Sequence, residues 1–272
     1  MPPAGAFLVY TTESVSLDPI VQKLNHGRFG DASSGDIWFP VPAETPSFIN
    51  APVSAVVAHH RAHPGNANKR FFVVIDRVDW ANEGVLGVNL NFDGFIDAAR
   101  FASDVAGSAI ASVDVGNSDW YETITEILDP PRFVLYPATK TLSADAKSKE
   151  ALRSEVQAGV ASRKQYSEGA LTCHLAPSCP EVIDEDVSMI AEGHVKVAEE
   201  LGCDPELFIV ADEADWGHWG LITGKIGKGG AGAETCRKSV DVAAEVLHWV
   251  RAGLLTWEEG KEWDEEEAEV EG

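Results

Sequence analysis

The feature that most constrains this chain is an internal repeat of a strand-forming segment. Residues 72–80 recur as residues 208–216, with Phe, Val, Asp, Asp and Trp at identical spacing and an offset of 136 residues (208 − 72). Gly84-Val85-Leu86 has its counterpart in Gly220-Leu221-Ile222 at the same offset. A self-match of this length predicts two tandem copies of one domain of about 130 residues, a size typical of a small globular unit.

The repeat also predicts the fold class. The copies are expected to cover residues 1–130 and 131–263, followed by an acidic tail at residues 264–272. Arg70 to Ile75 is a nearly continuous apolar run, which is typical of a strand covered on both faces. The Asp-Gly pair at 93–94 lies between two β-prone runs and predicts an antiparallel hairpin. With the predicted helices, this gives an α/β fold of two diverged mixed-sheet domains arranged with pseudo-twofold symmetry.

The chain's charge restricts its partners. The formal net charge is −23, and an acidic surface repels phosphate, which excludes nucleic acid as a partner and favours a basic protein. The amino terminus has no basic segment, and no stretch is long and apolar enough to span a membrane. The four cysteines have no CxxC spacing, which predicts neither a zinc site nor a disulfide framework and fits a cytoplasmic location.

Two aspartates provide the sharpest prediction of a site. Asp76 and Asp212 follow the predicted central strands, and open α/β sheets bind ligands at the carboxyl ends of their strands. Asp76 is therefore a candidate ligand-binding residue, and Asp212 is a candidate acid or base. The alternative is that both aspartates cap the turn after the strand while Trp80 and Trp216 fill the core.

The histidines supply two further candidates. His60 and His194 are matched between the copies, and a histidine can exchange protons near neutral pH. We treat them as candidate ligand-binding residues, with a half-exposed position at a helix end as the alternative. His59 and His63 have metal-ligand spacing but lack a third ligand nearby, so no metal site is predicted.

The second copy alone has a cluster of aromatic and ionisable residues after its central strand. His218 lies between Trp216 and Trp219, and two indoles could bind a planar or cationic ligand. Together with Asp212 and Asp215, His218 forms a candidate acid–base set. Cys173-His174 is a thiol beside a base, but neighbouring residues of a strand point to opposite faces, which argues against direct activation.

Several segments of the first copy resemble the uncharacterised family known as domain of unknown function 6924. They are Phe72 to Asp76, Val85 to Leu90, Arg100-Phe101 and residues 112–122, where Trp120 stands at a position that is usually Phe in the family. The resemblance extends over residues 7–125 and is weaker over 132–262. It implies an α/β fold and no established activity.

The sequence leaves two functional hypotheses. The first is a cytosolic, non-catalytic binding protein that presents an acidic surface to a partner. The second is an enzyme acting on a small molecule, with Asp212, Asp215 and His218 in one copy or at the seam between copies. No common catalytic motif is present and no cofactor is indicated.

Overall fold

The computed structural model describes ten segments of the chain, whose residues fall into two compact units. The described segments are 5–26, 40–43, 46–63, 65–90, 96–123, 129–139, 145–164, 171–178, 186–227 and 232–263. The first unit runs to Asp129 and includes Ala252–Thr256 and Trp263; the second comprises Pro130–Arg251 and Trp257–Glu262. The predicted acidic tail, residues 264–272, lies outside the described residues.

The first unit alternates strands and helices before it ends in a hairpin and two helices. In chain order its elements are β1 (Phe7–Thr11), α1 (Leu17–His26), β2 (Pro40–Pro42), α2 (Val53–Ala62), β3 (Phe71–Ile75), α3 (Trp80–Glu83), β4 (Val85–Leu90), β5 (Ile96–Phe101), α4 (Ala106–Asp114) and α5 (Trp120–Thr123).

The second unit repeats this order element by element. Its elements are β6 (Arg132–Pro137), α6 (Ala146–Lys164), β7 (Thr172–Leu175), α7 (Ser188–Leu201), β8 (Leu207–Ala211), α8 (Trp216–Trp219), β9 (Leu221–Ile226), β10 (Ala233–Lys238), α9 (Ala243–Arg251) and α10 (Trp257–Glu262).

The two units share one strand order. The first sheet has the order β2-β1-β3-β4-β5, and the second, counted from its β7 edge, has the equivalent order β7-β6-β8-β9-β10. In both sheets the first three strands of this order are parallel, and the last two join as antiparallel neighbours. The predicted mixed-sheet α/β fold is therefore confirmed.

The strand register is shared as well. Leu8 lies opposite Phe72 in the first sheet, and Val134 lies opposite Phe208 in the second. The equivalence continues into the antiparallel part, where Val74 pairs with Leu86 and Val210 pairs with Ile222. Equal element order, strand direction and register in two halves of one chain fit a tandem duplication.

The central strands are covered on both faces, as their unbroken apolar sequences predict. Every residue of β3 and of β8 is buried. Phe71 points to one face of the first sheet, where it contacts Trp120 of α5, and Phe72 points to the other, where it stacks on His60 of α2. Because residues of a strand alternate between faces, a strand in this position needs apolar residues throughout.

The predicted hairpin after the central strand is confirmed as β4 and β5, although the Asp-Gly turn itself lies outside the described residues. No helix in the described part of the chain combines the length and apolar character needed to cross a membrane.

Candidate functional site

The candidate carboxylate of the first unit is held by an arginine of the hairpin. Asp76 follows β3, and its two carboxylate oxygens accept hydrogen bonds from Nη1 and Nη2 of Arg100 on β5, at 3.0 and 2.5 Å. The side chains are 18% and 8% exposed, respectively. Arg100 Nη1 also approaches the carbonyl of Gly84, at 3.5 Å. The pair joins the end of the central strand to a strand two positions away in the sheet.

The second unit has the same ion pair in the same place. Arg237 on β10 donates from Nη1 and Nη2 to the two oxygens of Asp212, at 3.0 and 2.7 Å. Its Nη1 also approaches the carbonyls of Trp219 and Gly220, each at 3.4 Å. The Asp212 side chain is only 6% exposed. In each unit the described hydrogen-bond partner of the aspartate is therefore an arginine of the hairpin, which binds it bidentately, rather than a backbone N–H group of the following turn.

The matched histidines are buried, not half-exposed at a helix end. His60 on α2 is 1% exposed and His194 on α7 is fully buried. The hydroxyl of Tyr10 lies 3.0 Å from Nδ1 of His60, and the hydroxyl of Tyr136 lies 3.0 Å from Nδ1 of His194. The half-exposed position predicted as the alternative is therefore wrong.

Hydrogen bonding assigns the tautomer of His194. Its Nε2 lies 3.1 Å from the carbonyl of Asp204, which can only accept a hydrogen bond, so Nε2 carries the proton and Nδ1 accepts from Tyr136. Burial lowers the pKa of His194, and it lowers the pKa of His60 to about 4 against the smaller opposing effect of the Asn68 backbone. Both rings are therefore neutral at pH 7, and His194 serves as an acceptor within the core.

Each of these histidines belongs to a cluster of three rings. His60 stacks on Phe72 with centroids 4.2 Å apart, and Tyr10 meets both rings edge to face. In the second unit, His194 and Tyr136 surround Phe208 in a similar way. The clusters lie on the side of each sheet covered by α2 or α7, and they fasten that helix to the central strands.

The short helix α8 carries the aromatic residues that the sequence singled out. Trp216 is half-buried, and its Nε1 donates to Oε2 of Glu155 on α6 at 2.6 Å. Trp219 is 57% exposed, and its indole contacts the ring of His218 edge to face at 4.9 Å. Asp215 and His218 are also exposed, and the hydrogen bond that joins them runs between backbone atoms, from His218 N to the Asp215 carbonyl at 3.2 Å.

The prediction that Trp80 and Trp216 fill the core is wrong. Neither α3 nor α8, which follow the ends of the central strands, buries a residue. In the described segments the buried indoles are Trp120 on α5, Trp249 on α9 and Trp257 on α10, at 2%, 4% and 6% exposure. Trp120 Nε1 donates to Oδ2 of the buried Asp97 at 3.0 Å.

The remaining sequence candidates do not form catalytic or metal-binding arrangements. Gly65 N donates to Nδ1 of His63 at 3.1 Å, which places the proton of the neutral ring on Nε2 and leaves no lone pair for a metal. Within the described segments, no group of three or more His, Cys, Asp or Glu side chains could hold a metal ion. Cys173 is buried, and burial raises the pKa of its thiol to about 12, so it is not an activated thiolate.

Sequence reasoning missed the partners that complete these contacts, namely Arg100, Arg237, Tyr10 and Tyr136. A signal was present, because each arginine or tyrosine has its counterpart in the other copy, at an offset of 137 residues (237 − 100) for the arginines and 126 residues (136 − 10) for the tyrosines. The sequence matches Asn68 with Asp204 in the same way, and both side chains accept backbone N–H groups at the start of a central strand.

Comparison with protein-family models, with curated proteins and with solved structures gives no match to this chain. The resemblance to the domain of unknown function 6924 therefore stays a prediction.

Proposed function

We propose that this chain is a non-catalytic binding protein of the cytoplasm whose acidic surface binds a basic partner protein. The observation that carries this proposal is the repeated ion pair between the strand-end aspartate and the hairpin arginine. In both units the carboxylate lies at the carboxyl end of the central strand, where a catalytic group is expected. An arginine binds this carboxylate in each unit, and the pair stabilises the sheet. A pair present in both units is more economically explained by a shared structural role than by a reaction.

The charge of the chain supports a basic partner. The formal net charge of −23 attracts cationic surfaces and speeds their association. Cys173, Cys203 and Cys236 are free thiols, which fits the reducing environment of the cytoplasm. A small-molecule ligand was the other partner class that the sequence allowed, and no described contact favours it.

The enzyme hypothesis stays a prediction and has less support than the binding hypothesis. A general base must present its oxygen to the substrate, and both oxygens of Asp212 face the guanidinium of Arg237. The hydrogen bond that joins Asp215 to His218 runs between backbone atoms and leaves their side chains unconnected to each other. An acid–base set would require these three groups to converge on one reacting atom.

Titration of the full-length chain with cationic peptides tests the proposed function. Oligo-arginine and oligo-lysine peptides of about ten residues are compared by calorimetry with an uncharged Gly-Ser peptide of the same length. We expect saturable, one-to-one binding of the cationic peptides at about 0.15 M salt, weakening as salt rises. Absence of saturation, or many weak sites per chain, would contradict a specific binding role.

A further inference from the structure

We propose that the basic partner is recognised at one place, where an arginine side chain stacks on the exposed indole of Trp219. This inference rests on the proposed function, and it adds the surface that binds the partner and the type of partner residue that is bound. We define the α8 surface as Glu213, Asp215, Trp216, His218 and Trp219. The first unit has an equivalent surface around α3, so the two can be compared position by position.

The exposed indole is held on a rigid support. Isolated exposed apolar side chains are ordinary on protein surfaces. The short helix that carries Trp219, however, is held by side chains at both of its ends. Arg237, itself bound to Asp212, approaches the carbonyls of Trp219 and Gly220, and Glu155 holds Trp216 at the first residue of α8. A large aromatic surface that is 57% exposed and oriented before binding loses little entropy when a partner covers it.

The backbone beneath the indole is equally constrained. Gly220 ends α8 with φ of 74°, and a Cβ at this position would lie 2.4 Å from the carbonyl oxygen of Lys238. The first unit ends α3 in the same way at Gly84, with φ of 78°. The two short helices therefore share one scaffold, and their differences are confined to side chains.

Those side chains differ in a way that creates a site for a cation. Trp219 occupies the position of Glu83, and Glu213 occupies the position of Arg77, at the offset of 136 residues (213 − 77). The second unit thus gains an aromatic face and replaces a positive charge by a negative one.

The carboxylates of the first unit are satisfied locally. Both oxygens of Asp79 accept from Nδ2 of Asn82, at 3.1 and 3.0 Å. Arg77 lies within ion-pair distance of Glu83 and Asp129. In the described part of the second unit, no ion pair involves Glu213 or Asp215, which are both exposed. The α8 surface therefore presents negative charge that a partner can neutralise.

The chemistry of this surface favours arginine over lysine. A guanidinium is planar and weakly hydrated, so it stacks flat on an indole while its edge N–H groups reach neighbouring carboxylates. A lysine ammonium is a compact, strongly hydrated charge that gains less from the aromatic face. An arginine that stacks on Trp219 and pairs with Glu213 or Asp215 uses both the exposed indole and the carboxylates that lack an ion pair in the described segments, which are the features that distinguish the second unit from the first.

The test compares oligo-arginine with oligo-lysine on the wild-type chain, on Trp219→Leu and on a control. The control is Val78→Ala, which removes apolar surface from a residue that is 68% exposed in the first unit. We expect the wild type and the control to bind the arginine peptide about 2- to 5-fold more tightly than the lysine peptide. In Trp219→Leu this preference should disappear while binding of the lysine peptide changes little.

A second variant, Glu213→Arg, restores the charge found in the first unit and should weaken both peptides by about 2- to 5-fold. Circular dichroism and urea melts establish that each variant is folded. If neither peptide saturates the wild type, the proposed function fails and this inference fails with it. If both peptides bind and Trp219→Leu leaves both affinities unchanged, only the α8 surface is overturned. Equal weakening of both peptides by Trp219→Leu would overturn the assignment to arginine.

Discussion

At the scale of single residues, the polar side chains that the two units share are devoted to internal contacts. Asp76 with Arg100, and Tyr10 with His60, recur as Asp212 with Arg237 and Tyr136 with His194. Buried polar groups are costly unless they are paired, so such pairs persist together or are lost together. This explains why the histidine and aspartate positions remain matched while the surrounding surface diverges.

Removing the cation of one ion pair should be strongly destabilising. Arg100→Met leaves the Asp76 carboxylate, which is only 18% exposed, without its partner. We expect the free energy of unfolding in urea to fall by about 3–5 kcal/mol. The double variant Asp76→Asn, Arg100→Met removes both charges and should recover part of this loss. A single variant within about 0.5 kcal/mol of wild type would show that the pair does not hold the sheet together.

Burial of His60 should make stability depend on pH. The pKa of His60 is about 4 in the folded chain and has the ordinary value of 6.5 when unfolded. Between these values the unfolded chain binds a proton that the folded chain does not, so the contribution is complete above pH 6.5 and falls as pH drops toward 4. The full effect is on the order of 3 kcal/mol.

The matched control for this pH dependence is His60→Gln, which gives Tyr10 a hydrogen-bonding partner that does not titrate. The free energy of unfolding is measured for both proteins from pH 7.5 to about pH 4. Carboxylates titrate in both, so only the difference between the two curves reports on His60. Parallel curves would contradict a neutral, buried histidine.

At the scale of secondary-structure elements, the sequence predicted the central strands and the hairpin correctly. Continuous apolar runs and turn residues are local signals, and the same elements occur in both copies. The positions of Trp80 and Trp216 were not predictable in this way. A repeated indole shows that a position matters, but it does not show that the indole is buried. The helices α3 and α8 bury no residue, whereas α5, which is also a single turn, places Trp120 against Phe71 and Phe101.

The same limit applies to the candidate site. The ion pair joins Asp76 to Arg100, which are 24 residues apart in the chain, and no local pattern specifies that contact. It follows from the register of β3, β4 and β5, which only the folded sheet shows. The α8 surface could be located from the sequence because its aromatic residues lie within four residues of the chain. The contacts that Arg237 and Glu155 make with α8 could not be predicted in this way.

The tryptophans of the first unit should therefore differ sharply in their contribution to stability. Trp120→Ala removes an indole that is 2% exposed and leaves the buried carboxylate of Asp97 without one of its donors. We expect a loss of about 3–5 kcal/mol in urea unfolding. Trp80→Ala, which truncates a half-buried residue at the sheet rim, is the matched comparison and should cost distinctly less. Equal losses of stability would show that Trp80 also packs in the core.

At the scale of the whole molecule, the chain combines two units of equal topology with a large excess of negative charge. Like charges repel within the folded state and lower its stability, and salt screens this repulsion. With 44 acidic against 21 basic residues, the melting temperature should rise between low salt and about 0.5 M NaCl. The same excess charge favours a basic partner, so the property that costs stability also supports binding.

Deleting residues 264–272 separates the charge of the tail from the stability of the fold. The segment contains six carboxylates, and Ala268 and Val270 are its only apolar side chains, so it has little surface to bury. We expect the free energy of unfolding in urea at high salt to stay within about 0.5 kcal/mol of the full chain. At low salt the truncated chain should melt at the same temperature or higher, because fewer like charges repel. A loss of more than about 2 kcal/mol would show that the tail packs on the fold and acts through contacts rather than through charge.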